Sequence, residues 1–232
     1  MADNSITLFV FEGEKQERQY LHIFLEALSI NVNRIEIAFC THIYALHKKL
    51  EESINLDTFE LLKEECTALK NSTDYDRDDI ARIYLFFDYD GHVPGADDKK
   101  IQKMLKVFDN ETEEGKLFLS YPMLEALGDK SANFKNTITK IQTGGLYKST
   151  SRSVGELAEL PIGEFKELVC KHLKKANYLV NGRHQIPSNL IEQFDIFTQQ
   201  LNQHITPNGE VIVLSALPLF YLDYKGVNNI AL

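Results

Sequence analysis

Ile83-Tyr84-Leu85-Phe86-Phe87-Asp88-Tyr89-Asp90-Gly91 is an apolar run that ends in two carboxylates one residue apart. A second run, Ile6-Thr7-Leu8-Phe9-Val10-Phe11, breaks off at Glu12-Gly13. Each is apolar at nearly every position instead of alternating, the pattern of a parallel strand buried on both faces. Ligands of such sheets bind outside the carboxyl ends of the strands. Side chains at i and i+2 leave a strand on the same face, so Asp88 and Asp90 are placed to converge. If the two strands are neighbours, Glu12 joins them. Three carboxylates at one crevice repel one another, and hard oxygen donors suit Mg²⁺ or Mn²⁺. The two strand ends read together as a metal site.

Outward from these strands, the apolar spacing of Tyr20, Leu21, Phe24, Leu25 and Leu28 predicts a helix over 15–29. Residues 34–40 read as a strand. Two helical stretches follow, marked by Ile43, Leu46, Leu50, Ile54 and then Phe59, Leu62, Cys66, Leu69. Residues 71–79 read as a loop, 97–108 as a helix and 116–120 as a short strand. Strand alternating with helix predicts an α/β fold, a parallel sheet of about four strands flanked by helices. Beyond residue 125 helical periodicity dominates, first at Phe165, Leu168, Val169, Leu173, Ala176 and then at Leu190, Phe194, Phe197, Leu201, Ile205. Gly144-Gly145 and 149–153 read as loop, and Leu214 to Leu222 as a core helix kinked at Pro218. The expected organisation is a core over 1–126 with a helical C-terminal region, 127–232, packed on it.

Composition narrows the classes. A hydrophobic content of 44% argues against disorder. Three widely spaced cysteines with no CxxC point to a reducing compartment and away from structural zinc. Met1-Ala2-Asp3-Asn4 has no signal-peptide character, and Val211 to Leu222 falls short of the roughly 20 residues a membrane span needs. A cytoplasmic protein with no membrane contact is expected. The net charge of −9 counts against a nucleic-acid partner, because phosphate-backbone binders carry a basic face. A metal site brings its own acids, however, and basic patches can lie apart from them.

The block Phe9-Val10-Phe11-Glu12-Gly13-Glu14-Lys15-Gln16-Glu17, followed by Phe86-Phe87-Asp88-Tyr89-Asp90, resembles the Toprim domain. That domain is shared by topoisomerases, bacterial primases and OLD-type nucleases. The likeness is to the OLD/RloB-like branch of phage-defence and abortive-infection systems, and Ser120-Tyr121-Pro122-Met123-Leu124-Glu125 matches its later Pro-x-x-Glu element. The resemblance covers residues 6–126. It implies a Toprim-like sheet and a nuclease cleaving DNA or RNA in antiviral defence, beside an ATPase partner. Glu12, Asp88 and Asp90 would be metal ligands. Glu125 would be a ligand to a second ion or a base for the attacking water. Lys148, in Gly144-Gly145-Leu146-Tyr147-Lys148-Ser149-Thr150-Ser151-Arg152, resembles the lysine that related nucleases use against the scissile phosphate. A homodimer would let two sites face a duplex.

Blander readings stand beside these. Gly13 supplies a sharp turn into a helix whose partially positive N-terminus could hold Glu12 or a phosphate. Glu17 reads either as orienting the ligand shell or, with Glu14, as a solvated helix face, and Lys171, Lys174 and Lys175 read as a solvated surface. His42 and His47 read as surface or core residues and not as ligands. Phe86-Phe87-Asp88-Tyr89-Asp90-Gly91 also resembles the first motif of HAD-type phosphatases, with Asp88 as nucleophile and Ser120 as the middle-motif hydroxyl. That motif normally lies near a chain start, and Gly128-Asp129-Lys130-Ser131 offers one acid where the last HAD motif has two. A third reading is a Toprim scaffold that binds metal without cleaving.

Overall fold

β1 (Ile6–Phe11) and β3 (Ile80–Asp88) lie side by side and parallel, with Phe11 level with Phe86, as two doubly buried runs would. The computed structural model describes residues 5–13, 16–32, 34–40, 42–52, 57–66, 69, 75–141 and 144–232. Expectations attached to Glu14, Ile54 and the loop at 71–74 fall outside them. β2 (Arg34–Phe39) pairs parallel with the outer edge of β1, and β5 (Gly115–Ser120) with that of β3. A two-residue antiparallel strand, β4 (Asp109–Asn110), closes the sheet in the order β2-β1-β3-β5-β4. The protein is thus α/β with a mostly parallel five-stranded sheet. The fifth strand is too short to leave any periodicity in the sequence.

Helices cover both sides of the central strands. Those of the first half are α1 (Gln16–Ala27), α2 (Ile43–Glu52), α3 (Thr58–Glu65) and α4 (Asp98–Val107). The second half supplies α5 (Val154–Ala158), α6 (Ile162–Asn181), α7 (Gln193–Gln200) and α8 (Ala216–Lys225). Phe9, Phe86 and Phe118 stack across neighbouring strands, and Phe220 of α8 meets Phe9, Tyr84, Phe86 and Phe118 edge-on. One apolar cluster runs from Ile6 to Leu222, so residues beyond 126 complete the core of the sheet. The edge of β5 is finished by a side chain. Leu119 N–H donates to Gln193 Oε1 of α7, where a further strand would have offered a carbonyl.

The C-terminal half departs from its expected outline in four ways. A two-stranded antiparallel sheet, β6 (Ile138–Lys140) with β7 (Glu210–Ile212), interrupts the helices. Periodicity from Leu190 to Ile205 resolves into α7 and a π-helical turn, Leu201–Ile205, with Leu190 exposed ahead of both. The segment expected as loop contains a helical turn, Gly144–Tyr147, and a 3₁₀ turn, Lys148–Thr150. Pro218 does not kink α8. It is the third residue of that helix, in the first turn, where no N–H has an intrahelical partner to lose. Among the described residues, no helix is long and apolar enough to cross a membrane.

Lys175 is fully buried, not solvated as its neighbours Lys171 and Lys174 led one to expect. Its Nζ donates to Thr137 O at 2.7 Å and lies 4.2 Å from the Phe134 ring centroid. Burial pulls its pKa down to about 7, against the opposing charge of Asp129. An unfolded lysine keeps its proton to about pH 10.4, whereas the native one sheds it near 7. Between those values the unfolded state binds more protons, so this residue's contribution to stability rises with pH. Relative to Lys175→Met, wild type should gain about 1.4 kcal/mol per pH unit between about pH 7.5 and 9.5. Urea unfolding across that range measures the difference; a flat one would mean that Lys175 stays charged in its site.

Candidate active site

The strand ends place the acids. Phe11 O accepts from Cys40 N–H at 2.7 Å, which closes β1 before Glu12. Glu12 therefore emerges beside the end of β3, where the Asp88 backbone dipole partly offsets the rise of its pKa. Burial, with the charge of Asp90, pushes the Glu12 carboxyl up to about 7. Its Oε2 is buried with no hydrogen-bond partner.

Asp88 sits deepest. Leu124 N–H donates to its Oδ1 at 2.9 Å, tying the strand end to the turn that carries Glu125. Burial, then the charges of Glu12, Glu125 and Asp90, holds the Asp88 carboxyl well above the usual carboxylate range. Those three charges acting on one group place four carboxyls around a single crevice. It lies at the carboxyl ends of β1, β3 and β5, as the fold class requires.

Lys148 closes the crevice from the C-terminal half. Its Nζ lies 2.9 Å from Glu125 Oε1, with the lysine side chain 55% exposed and the glutamate 13%. Contact with Glu125 raises the lysine pKa, helped by the charges of Asp88 and Glu17. Two contacts fix the loop that presents it. Tyr147 OH donates to Asp129 Oδ2 at 2.6 Å, and Arg152 N–H donates to Gly128 O at 2.8 Å. Glycine at 128 eases that approach, since a Cβ would lie only 3.0 Å from the Arg152 backbone. Arg152 itself serves the loop, its Nη1 reaching Gly128 O and Asp129 O.

Glu12, Asp88, Asp90, Glu125 and Lys148 are thus brought together. Glu17, read either as orienting the shell or as part of a solvated helix face, leans over the strand–helix turn. A Cβ on Gly13 would lie 2.1 Å from its Oε1, so a larger residue there would push the Glu17 side chain aside. Tyr20 was legible only as part of the apolar face of α1. Its buried hydroxyl donates to Arg152 O at 3.4 Å, and the charges of Glu125 and Glu17 join burial in raising its pKa. His42 is exposed and accepts from Ala45 N–H, while His47 is buried 3.6 Å from Glu51. Neither faces the crevice acids through any of these contacts.

Among the described residues, no three His, Cys, Asp or Glu side chains are gathered closely enough to hold an ion as they stand. The donor chemistry nevertheless fits a hard divalent cation. The donors are carboxylate oxygens, one buried oxygen of Glu12 is unpartnered, and burial together with the neighbouring acids raises the Glu12 and Asp88 carboxyls. Compared with family models, curated proteins and solved structures, the chain matches none.

Proposed function

We propose that the protein is a Toprim-type, Mg²⁺- or Mn²⁺-dependent nuclease that hydrolyses phosphodiester bonds in DNA or RNA. One observation carries this reading: Glu12, Asp88, Asp90 and Glu125 converge at the carboxyl ends of parallel strands, with Lys148 on Glu125. Glu12, Asp88 and Asp90 would hold the cation, with Glu125 as a further ligand or as base. A bound divalent cation supplies positive charge against the phosphate oxygens. The rest of the work falls to the chain. Lys148, more than half exposed and paired at its tip, can turn from Glu125 to a phosphate oxygen and stabilise charge developing there. Glu125, released from the lysine, can then orient or deprotonate water. By the same resemblance, the reaction belongs to antiviral defence and an ATPase partner holds the nuclease in check.

The aspartyl-phosphate alternative has less support. Ser120, which would supply its hydroxyl, is buried, and its Oγ accepts from Ala216 N–H at 3.2 Å as α8 begins. The non-cleaving scaffold has no observation in its favour, because every acid of the centre is present.

Lys148→Ala tests the reading. Cleavage of plasmid DNA and of RNA is followed with Mg²⁺ and with excess chelator. Wild type should cleave only with the metal. The variant should lose about a hundredfold to a thousandfold in turnover while still gaining thermal stability from Mg²⁺. Wild-type cleavage in chelator would overturn the metal. An undiminished Lys148→Ala rate would leave the loop without a catalytic part.

A further inference from the structure

Residues 130–155 and 168–191 hold nine of the 25 Lys and Arg and none of the 34 Asp and Glu, in a chain of net charge −9. Some of these cations are spent internally. Lys175 is buried, Lys130 pairs with Glu156, and Lys148 pairs with Glu125. Lys135, Lys171, Lys174 and Arg183 remain at least partly exposed, and among the described residues none of these four is in an ion pair. A local positive face therefore exists on an acidic protein.

That face borders a groove of about 580 Å³, remote in sequence from Glu12 and Asp88, and lined by Lys135, Ile138, Tyr178, Gln199, Gln203 and His204. Tyr178 is 38% exposed, unusual for so large a ring on a helix whose neighbours are buried. Lys135 Nζ lies 4.0 Å from its ring centroid, and His184 stands edge-on to it at 6.2 Å. Lys135 and Lys174 both act on His184, so the cations and the aromatic ring share one neighbourhood. The π-helical turn Leu201–Ile205 carries Gln203 and His204 at the groove wall. Such turns are uncommon and recur at functional sites. Glu210 is the one acid that faces His204 from β7.

We propose that this groove binds single-stranded nucleic acid, a base stacking on Tyr178 and the backbone phosphates meeting Lys135, Lys174 and Arg183. An aromatic platform with cations beside it is how proteins hold unstacked strands without reading sequence. The glutamine amides lining the wall offer both donors and acceptors to base edges. Lys135, now over the ring, would give way to the base and turn to a phosphate. A duplex hides its base faces and cannot use Tyr178 in this way. The inference rests on the nuclease reading for its choice of polyanion, and it supplies the basic surface whose absence the net charge had implied.

Fluorescence anisotropy with labelled 20-mer oligo-dT, oligo-U and a 20-bp duplex, in excess chelator, separates binding from cleavage. Both single strands should bind more tightly than the duplex. Tyr178→Ala should weaken single-strand binding about five- to hundredfold and Tyr178→Phe should restore it. Lys135→Ala with Lys174→Ala should lower the slope of log affinity against log salt by about 1.4. Tyr178 and both lysines are at least partly exposed, and an unchanged melting midpoint confirms folding. Binding unaffected by Tyr178→Ala, or a preference for duplex, overturns the proposal. Tyr178-dependent binding without cleavage in Mg²⁺ upholds the groove and refutes the nuclease.

Discussion

Glu12→Gln should lower phosphodiester hydrolysis at least about a thousandfold while the protein stays folded. The change is nearly isosteric. Glutamine keeps an acceptor oxygen beside the Asp88 backbone, and its amide offers a donor toward Asp90, so the substitution brings no new repulsion. What is lost is a negative charge and a basic oxygen at the centre of the crevice. The same variant separates the two enzyme readings. An aspartyl-phosphate route proceeds through Asp88 as nucleophile and leaves Glu12 outside the chemistry. Assays on plasmid DNA, RNA and a simple phosphate monoester, with circular dichroism for folding, give the answer. A folded Glu12→Gln protein that hydrolyses monoester at the wild-type rate would refute the nuclease. Loss of nucleic-acid cleavage, with no monoester activity in either protein, would uphold it.

The sheet was legible where burial is two-sided, because β1 and the Ile83–Phe87 stretch of β3 then carry apolar residues at nearly every position. β4, β6 and β7 were not, since two or three residues cannot display a period of two. Pro218 misled for a positional reason: the same residue kinks a helix interior and is tolerated in a first turn. Lys175 misled because a lysine triplet looks solvated, whereas the inward face of α6 takes Val169, His172, Leu173 and Ala176 and carries Lys175 with them. Its hydrogen bond to Thr137 O and the fall of its pKa toward 7, which favours the neutral amine, make that tolerable.

The candidate site divides along the same line. Glu12, Asp88 and Asp90 are strand endings, and a strand ending is a local signal. The pairing of Lys148 with Glu125 is not local. It depends on the Gly128–Arg152 backbone contact and the Tyr147–Asp129 hydrogen bond, which join segments 18 to 24 residues apart. No spacing rule announces such a loop, and the resemblance to nuclease motifs alone pointed to Lys148. Tyr20 and Glu17 show the converse. Both were read correctly as helical, yet only the packing of α1 over the strand end turns them toward the crevice.

Asp88→Asn should abolish cleavage and, without metal, make the protein more stable. Wild type keeps a buried carboxyl amid Glu12, Glu125 and Asp90, a cost to the native state that unfolding relieves. Asparagine removes the repulsion and retains the oxygen that accepts from Leu124 N–H at 2.9 Å. Its new amide hydrogens face carboxylates that can accept them. Stabilising replacements typically contribute about 0.5–2 kcal/mol, equivalent to roughly 1–8 °C in melting midpoint for a chain of this size. Such a gain on removing a functional group is the mark of a centre shaped for chemistry at the expense of stability. Mg²⁺ should then reverse the order. It stabilises wild type by binding the native state, while the variant has lost a ligand and gains less. Melting both proteins in chelator and in millimolar Mg²⁺ tests the pair of claims. If Asp88→Asn melts lower than wild type in chelator, the carboxyl is a structural hydrogen-bonding group and the crevice carries no strain for a cation to relieve.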